Sequence, residues 1–395
     1  TIQEIGRKTK ISELYIAKKV LELAAKEKEE GAEERKTHIG YFLIDEGIPK
    51  LYESLNTGKK RKFLSQKAKV CRVIGSMWLG TFVLTILASI LFYMQTHSVL
   101  ATILFGILAI LPIQEMIRQV VHHVTSKSIK PKLIPKLDFQ NGITEENATM
   151  VVIPTIIKSK EKVKELMHNL EVMYLANKSE HLYFALLGDC SSSQNEKEAY
   201  DEEVIEEGKL QVERLNQKYP QEGIEKFQYI YRKRYWNGKE ECYLGWERKR
   251  GLLNQLNEYL LGHEKNMFLY NSMEEEKTKG KKWKEQIRYI ITLDADTKLP
   301  IGTGLELIGA MSHILNRPIL NQTKDAVVQG HGIMQPRVGI DLEISRKNLF
   351  TQIFAGSGGT DSYTNAISDF YQDLFDEGIF TGKGIYDLAT FSTVL

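Results

Sequence analysis

Two carboxylates one residue apart, Asp294 and Asp296, end the apolar run Tyr289-Ile-Ile-Thr-Leu293 and precede Thr297-Lys-Leu-Pro300. Hard divalent cations prefer oxygen ligands, so a carboxylate pair of this kind suits Mn²⁺ or Mg²⁺. A cation held there would bridge the phosphates of a nucleotide sugar and neutralise charge on the leaving diphosphate. The apolar run itself reads as a buried strand of a parallel sheet. Ligands of open α/β sheets bind beyond the carboxyl ends of the strands. Side chains alternate along a strand, which predicts positions 294 and 296 on the same side. The alternative is an ordinary strand-to-loop turn, where aspartate is common.

Further residue types with chemical potential recur at the ends of other elements. Asp189 closes the run His181–Gly188. It is placed to accept hydrogen bonds from a nucleobase imide or a ribose hydroxyl, or alternatively to cap the following helix. Pro154 and Thr155 lie within the strand Met150–Ile157, and a proline there predicts an edge or a bulge whose backbone can meet a ligand. Gly245-Trp-Glu-Arg-Lys-Arg-Gly251 puts Arg248, Lys249 and Arg250 at the start of a helix, where cations oppose the helix dipole. A diphosphate partner accounts for them; a solvated basic face is the alternative. A second basic group, Tyr231-Arg-Lys-Arg-Tyr-Trp236, ends the preceding strand. Gln335-Pro-Arg337-Val338 and Phe380-Thr-Gly382-Lys383-Gly384-Ile-Tyr386 complete the set, the two glycines allowing close approach of backbone to a sugar. Gly356–Asp361 reads as a flexible loop and lacks the spacing of a P-loop.

Alternating strands and helices from about Leu137 onward must position these groups. Expected strands are Met150–Ile157, His181–Leu187, Phe227–Tyr231 and Tyr289–Leu293, with a strand pair within Ala326–Gln335. Expected helices are Lys160–Leu175, Glu196–Tyr219, Arg248–Leu261 and Gly304–Leu315, and Met273–Glu285 reads as a charged loop. This alternation predicts a doubly wound, mostly parallel α/β sheet. The 395 residues allow two or three domains, and a formal net charge of +2 favours no nucleic-acid partner. Cys71, Cys190 and Cys242 are far apart, without metal or redox spacing, which fits a reducing cytosol. Residues 1–70 form a charged, helix-favouring segment in which His38 reads as structural. Residues 71–122 hold two apolar runs, about 73–93 and 98–119, each long enough for the roughly 20 residues that cross a bilayer. Basic flanks on both sides predict cytoplasmic ends for this hairpin and also suit anionic lipid; a buried hairpin in a soluble core is the alternative. Residues 123–395 form the α/β domain. The chain opens without methionine and closes without a terminating feature, and so is expected to be a piece of a longer protein.

From about His38 to the end, the chain resembles the cyclic β-1,2-glucan synthases in their membrane-embedded glycosyltransferase part. The resemblance is carried, in order, by Val152-Ile-Pro-Thr155, Ala185-Leu-Leu-Gly-Asp189, Gly245–Gly251, Thr292-Leu-Asp-Ala-Asp-Thr297, Gln335-Pro-Arg-Val338 and Tyr371-Gln-Asp-Leu-Phe through Gly382-Lys-Gly-Ile-Tyr-Asp387. It implies a GT-A-like fold, UDP-glucose as donor, a growing glucan as acceptor and a divalent metal. It places Pro154, Thr155 and Asp189 near the nucleotide, Asp294 near ribose and diphosphate, and Asp296 on the metal. Gln335 and Arg337 join the catalytic set, and Gly382, Lys383 and Gly384 line the acceptor site. It also implies a multi-pass protein of a bacterial-type inner membrane, with its catalytic domain in the cytoplasm. The family has an acidic and aromatic run after the counterpart of Asp189, where this chain has Cys190-Ser-Ser-Ser193. Inverting transfer needs a carboxylate base, which the family pattern puts beyond Leu395; in-chain candidates are Asp373, Asp376 and Glu377. Another processive β-glycosyltransferase, making a cellulose-like or chitin-like chain, and a membrane-tethered UDP-sugar sensor are the competing readings.

Overall fold

The computed structural model describes residues 1–55, 66–128, 134–263, 267–278, 287–339 and 380–394, with isolated positions between 340 and 379. The chain divides into two compact units. One comprises Thr1–Leu51, Ile134–Pro336 and Phe380–Leu395; the other comprises Tyr52–Leu133 and Arg337–Ile379.

Five short helices open the chain: α1 (Ile2–Thr9), α2 (Glu13–Glu29), α3 (Glu34–Thr37), α4 (Ile39–Ile44) and α5 (Ile48–Ser54). Ser12 caps α2 by accepting from the Tyr15 amide. His38 has the structural role expected of it. Its Nδ1 accepts from the Gly40 amide at 3.1 Å, and its ring meets that of His313 edge-on at 5.2 Å.

The second unit contributes α6 (Gln66–Thr96) and α7 (Val99–Ser128), with Pro112 inside α7. At 31 and 30 residues each helix is about 45 Å long, more than the roughly 30 Å hydrocarbon core of a bilayer. Both are long and apolar enough to cross a membrane. Their large side chains are exposed, with Leu91, Leu108 and Leu111 among them, rather than packed in a core. The buried-hairpin reading therefore does not hold. The two helices pack on each other through the stacked rings of Phe92 and Phe105, 4.5 Å apart.

The α/β part follows as β1 (Thr149–Ile156), α8 (Lys160–Ala176), β2 (Leu182–Asp189), α9 (Ala199–Lys218) and β3 (Phe227–Arg232). A hairpin of β4 (Tyr235–Asn237) and β5 (Cys242–Leu244) leads to α10 (Arg248–Leu261). Next are β6 (Phe268–Asn271), α11 (Ser272–Thr278), β7 (Tyr289–Thr292), α12 (Thr303–Ser312), β8 (Ile319–Leu320), β9 (Val327–Gln329) and β10 (Ile333–Met334). The last elements are β11 (Gly384–Asp387) and α13 (Leu388–Val394). Among the described residues seven strands form one sheet in the order β10-β11-β7-β1-β2-β3-β6. The central four are parallel; β6 and β11 run antiparallel to them, and β10 pairs antiparallel with β11.

Strand alternation explains the layering. Val151, Ile153, Phe184, Leu186, Phe227, Tyr289 and Ile291 face one way and bury the apolar stripe Val163, Leu166, Leu170 and Met173 of α8. Their neighbours Met150, Val152, Tyr183, Ala185, Ile230 and Ile290 face the other way, onto Leu252, Leu256 and Leu260 of α10. A sheet buried on both faces requires near-continuous apolar strands, which is why these runs read so plainly.

Four expectations need correction. The strand pair foreseen in Ala326–Gln335 consists of β9 and β10, but these pair with β8 and β11 rather than with each other. Part of the charged segment Met273–Glu285 is helical, in α11. β1 is central, not an edge: β7 flanks it on one side and β2 on the other. Pro154 is tolerated because the β7 ladder ends at Val152–Thr292, so no strand on that side needs its missing N–H. Finally, β7 ends at Thr292, and the Thr297 amide returns to the Asp294 carbonyl at 3.0 Å. Strand alternation therefore does not reach positions 294 and 296; a tight turn sets them instead.

Candidate functional site

The carboxyl ends of β1, β2 and β7 lie side by side in the sheet, and the chemically distinctive residues gather there. Asp294 leaves β7 and meets two lysines. Lys249 Nζ stands 2.5 Å from its Oδ1, and Lys383 Nζ stands 3.1 Å from its Oδ2. Lys249 comes from the first turn of α10, Lys383 from the loop before β11. Lys249 also donates to the Gly382 carbonyl at 2.7 Å. Burial alone would raise the Asp294 carboxyl; the hydrogen bonds and charges of Lys249 and Lys383 outweigh it and hold the group below the usual carboxylate range.

Asp296 is exposed, and its Oδ1 accepts from Thr297 Oγ1 at 3.4 Å. Among the described residues no group of three His, Cys, Asp or Glu side chains is placed to hold a metal ion. The described residues thus offer no cage of their own. With both Asp294 oxygens taken by lysines, the carboxylate of this pair that is open to a cation is that of Asp296. One carboxylate supplemented by substrate phosphates and water is a normal environment for Mg²⁺, so the donor set fits a cation brought in with a diphosphate.

Asp189, at the end of β2, is buried and its Oδ1 accepts from the Cys190 amide at 2.9 Å. Its charge is met by Arg232 from β3, whose Nη1 lies 3.4 Å away. Arg232 Nη1 also donates to the Arg248 carbonyl at 3.2 Å. A Cβ on Gly245 would stand 2.3 Å from Asp189 Oδ1 and 2.6 Å from Arg232 Nη1, so only glycine lets the chain pass this pair. Two residues later the backbone turns left-handed at Glu247 (φ 44°) and Arg248 (φ 48°), where α10 begins. Such a conformation costs about 1–2 kcal/mol per non-glycine residue; here it sets the direction of α10 and so of Lys249.

The three cations of this segment diverge. Arg248 reaches back to the loop after β2, donating to the Cys190 carbonyl at 3.3 Å and to Ser192 Oγ at 3.2 Å. Lys249 turns to Asp294. Arg250 is exposed and pairs with Glu247 at 3.2 Å. The loop of Gly382–Gly384 is anchored at both ends: Gln335 Oε1 accepts from the Thr381 amide at 2.6 Å and from its hydroxyl at 3.0 Å. At the other end Gly384 packs so closely that an added Cβ would lie 2.3 Å from the Met334 carbonyl oxygen. Pro154 is buried and Thr155 half-buried at the end of β1. Arg337 is exposed and belongs to the other compact unit. Asp373, Asp376 and Glu377, and the Gly356–Asp361 loop, lie outside the described residues.

Sequence reasoning did not find Arg232 or the role of Arg234. The latter is buried and bound to Asp201, which also accepts from the Tyr231 hydroxyl at 2.9 Å. The cluster Tyr231–Trp236 was visible, but nothing local distinguishes its inward-facing arginines from a solvated basic face. Asp387, the first carboxylate after the glycine loop, is also structural. It caps α13 by accepting from the Thr390 amide at 2.9 Å and pairs with Arg288 at 3.7 Å.

No protein-family model matches the chain. The curated cyclic beta-(1,2)-glucan synthase NdvB of Rhizobium meliloti (strain 1021) is 32% identical to it over 406 residues, covering 100% of this chain. The chain spans 14% of the length of that relative. The likeness carried by the sequence motifs thus extends from end to end: the whole chain resembles one stretch of a cyclic β-1,2-glucan synthase.

Proposed function

We propose that this chain is the donor-binding core of a membrane-bound inverting glucosyltransferase that takes glucose from UDP-glucose and extends a β-1,2-glucan. One observation carries the reading. Asp294, Lys249 and the Gly382 loop, from three separate parts of the sequence, converge where α/β sheets bind ligands, in a chain that aligns throughout with a cyclic β-(1,2)-glucan synthase. The nucleobase sits at the end of β2, against Asp189 and the residues that Arg232 and Arg248 hold in place. The diphosphate meets Lys249, with Arg248 and Arg250 adding positive potential. Asp294 accepts from a ribose hydroxyl, beside the diphosphate that Lys249 meets. A divalent cation on Asp296, Mn²⁺ or Mg²⁺, stabilises charge on the departing diphosphate when bound. Gln335 fixes the loop that presents Gly382 and Gly384 to the acceptor glucan. The helices α6 and α7 anchor the protein in an inner membrane with their outer ends in the cytoplasm. Asp387 is committed to α13 and Arg288 and so is not the base that deprotonates the acceptor hydroxyl.

Calorimetric titration of UDP-glucose with and without Mn²⁺ tests this, on the wild type and on Asp296→Asn. Metal-dependent binding that the substitution abolishes is expected. Equal binding by both proteins would remove the metal from Asp296, and no binding by either would overturn the transferase reading.

A further inference from the structure

Lys383 lies in the loop proposed above to serve the acceptor, yet its ammonium group meets Asp294, proposed above to serve the donor. It stands 3.1 Å from Asp294 Oδ2, with its side chain only 19% exposed. Lys249 stands 2.5 Å from the other oxygen of the same carboxylate. One carboxylate therefore carries two ammonium groups from two elements, and a purely structural ion pair would need one. The surplus positive charge lies at the carboxyl ends of the strands, beside the turn that carries Asp296. Lys249 is also the tie to the loop, through the Gly382 carbonyl at 2.7 Å.

We infer that Lys383 is a donor-side phosphate ligand: Lys383 and Lys249 rest on Asp294, and a nucleoside diphosphate draws both ammonium groups from the carboxylate onto its phosphates. This rests on the donor reading of the site proposed above. The chemistry is suitable, because a diphosphate diester carries a negative charge on each phosphate and lysine binds phosphate as a point charge on a flexible stem. The exchange needs only side-chain rotation. Its consequence reaches the acceptor side. Thr381 is pinned by Gln335 and Gly384 by the Met334 backbone, so Lys249 holds the segment between two fixed ends. Drawing Lys249 toward a phosphate releases the Gly382 carbonyl, and the loop adapts to an acceptor only after the donor is in place.

The whole chain in lipid nanodiscs is titrated with UDP as wild type, Lys383→Gln and Lys383→Arg, and hydrogen exchange is followed at the amides of 381–383. Losing one charge-assisted contact is expected to weaken UDP binding about tenfold in Lys383→Gln, with most of it regained in Lys383→Arg. UDP is expected to speed exchange at the 382 and 383 amides of the wild type. Unchanged UDP affinity in Lys383→Gln overturns the inference and leaves the donor site standing. Weakened binding that Arg does not restore, together with a lowered thermal midpoint, makes Lys383 structural and also overturns it. Exchange indifferent to UDP removes the coupling to the loop. A wild type that binds no UDP removes the donor site, and this inference with it.

Discussion

Replacing Arg232 by methionine is the most searching test of how this site is built. Arg232 and Asp189 face each other with side chains 0% and 3% exposed. Arg232 also donates to the carbonyls of Arg248, at 3.2 Å, and Trp246, at 2.5 Å. Methionine keeps the stem and removes the charge, which leaves the Asp189 carboxylate alone in the interior and both carbonyls without this donor. Breaking one side of a buried ion pair costs about 3–5 kcal/mol, and each lost hydrogen bond adds about 1 kcal/mol. A total of roughly 5 kcal/mol lowers the midpoint of a unit this size by about 10–20 °C. Asp189→Asn in the same background removes the stranded charge, so the double variant is expected to recover about half of that loss. Urea unfolding, followed by tryptophan emission, including that of Trp246 whose carbonyl Arg232 binds, measures all four proteins of the cycle. Single-variant losses under about 2 kcal/mol, or strictly additive losses, would refute the reasoning. Either result would show that the Asp189 charge is balanced by something other than Arg232.

Three further outcomes follow from the same geometry. Burial lowers the pKa of His38, and burial first and then the nearby His38 and Arg317 charges lower that of His313. In both rings Nδ1 accepts a backbone N–H, from Gly40 and from Leu315, an acceptor role that protonation of that nitrogen removes. The unfolded state therefore binds more protons below pH 6.5, stability is full above that value, and it falls as pH drops toward the depressed values. Unfolding measured from pH 7.5 to 5 should show this slope in the wild type and a flatter one in His38→Asn/His313→Gln. Burial and the adjacent Asp189 carboxylate push the Cys190 thiol up to about 11. Maleimide at pH 8 should therefore label the partly exposed Cys242 well before Cys190, and the reverse order in a mass-spectrometric time course would contradict the burial of Cys190. Gly384→Ala forces a Cβ to within 2.3 Å of the Met334 oxygen, at a cost of about 1–3 kcal/mol. Denaturant unfolding should show that loss, and an unchanged midpoint would mean that β10 and β11 are not so closely paired.

Much of the fold was legible because the relevant signals are local. Strands buried on both faces must be apolar at every position, and Met150–Ile153, Leu182–Leu187 and Tyr289–Ile291 meet that requirement. The α8 stripe repeats at helical spacing, and the two hydrocarbon-length helices are evident from composition alone. β6 was not legible: Phe268–Asn271 is four residues long and half-buried, too short to show a period. The expectation of a proline edge failed for a related reason. A strand can be central in its sheet and unpaired at one residue, and only the neighbour's length decides this. Asp294 was marked as a strand-end carboxylate paired with Asp296 on one side, but the strand stops two residues earlier, at Thr292, and a turn carries both.

By itself the sequence determined the class of the fold, the strand ends at which the chemistry gathers and the likeness to glucan synthases, because periodicity and motif order are properties of neighbouring residues. The tertiary structure decided which groups meet. It inserts β11 antiparallel beside β7, which carries Lys383 to Asp294; it turns Arg232 inward onto Asp189; and it sends Arg248, Lys249 and Arg250 in three directions. Such pairings arise from backbone hydrogen bonding and charge burial between segments far apart in the chain, and these leave no local pattern from which they can be read.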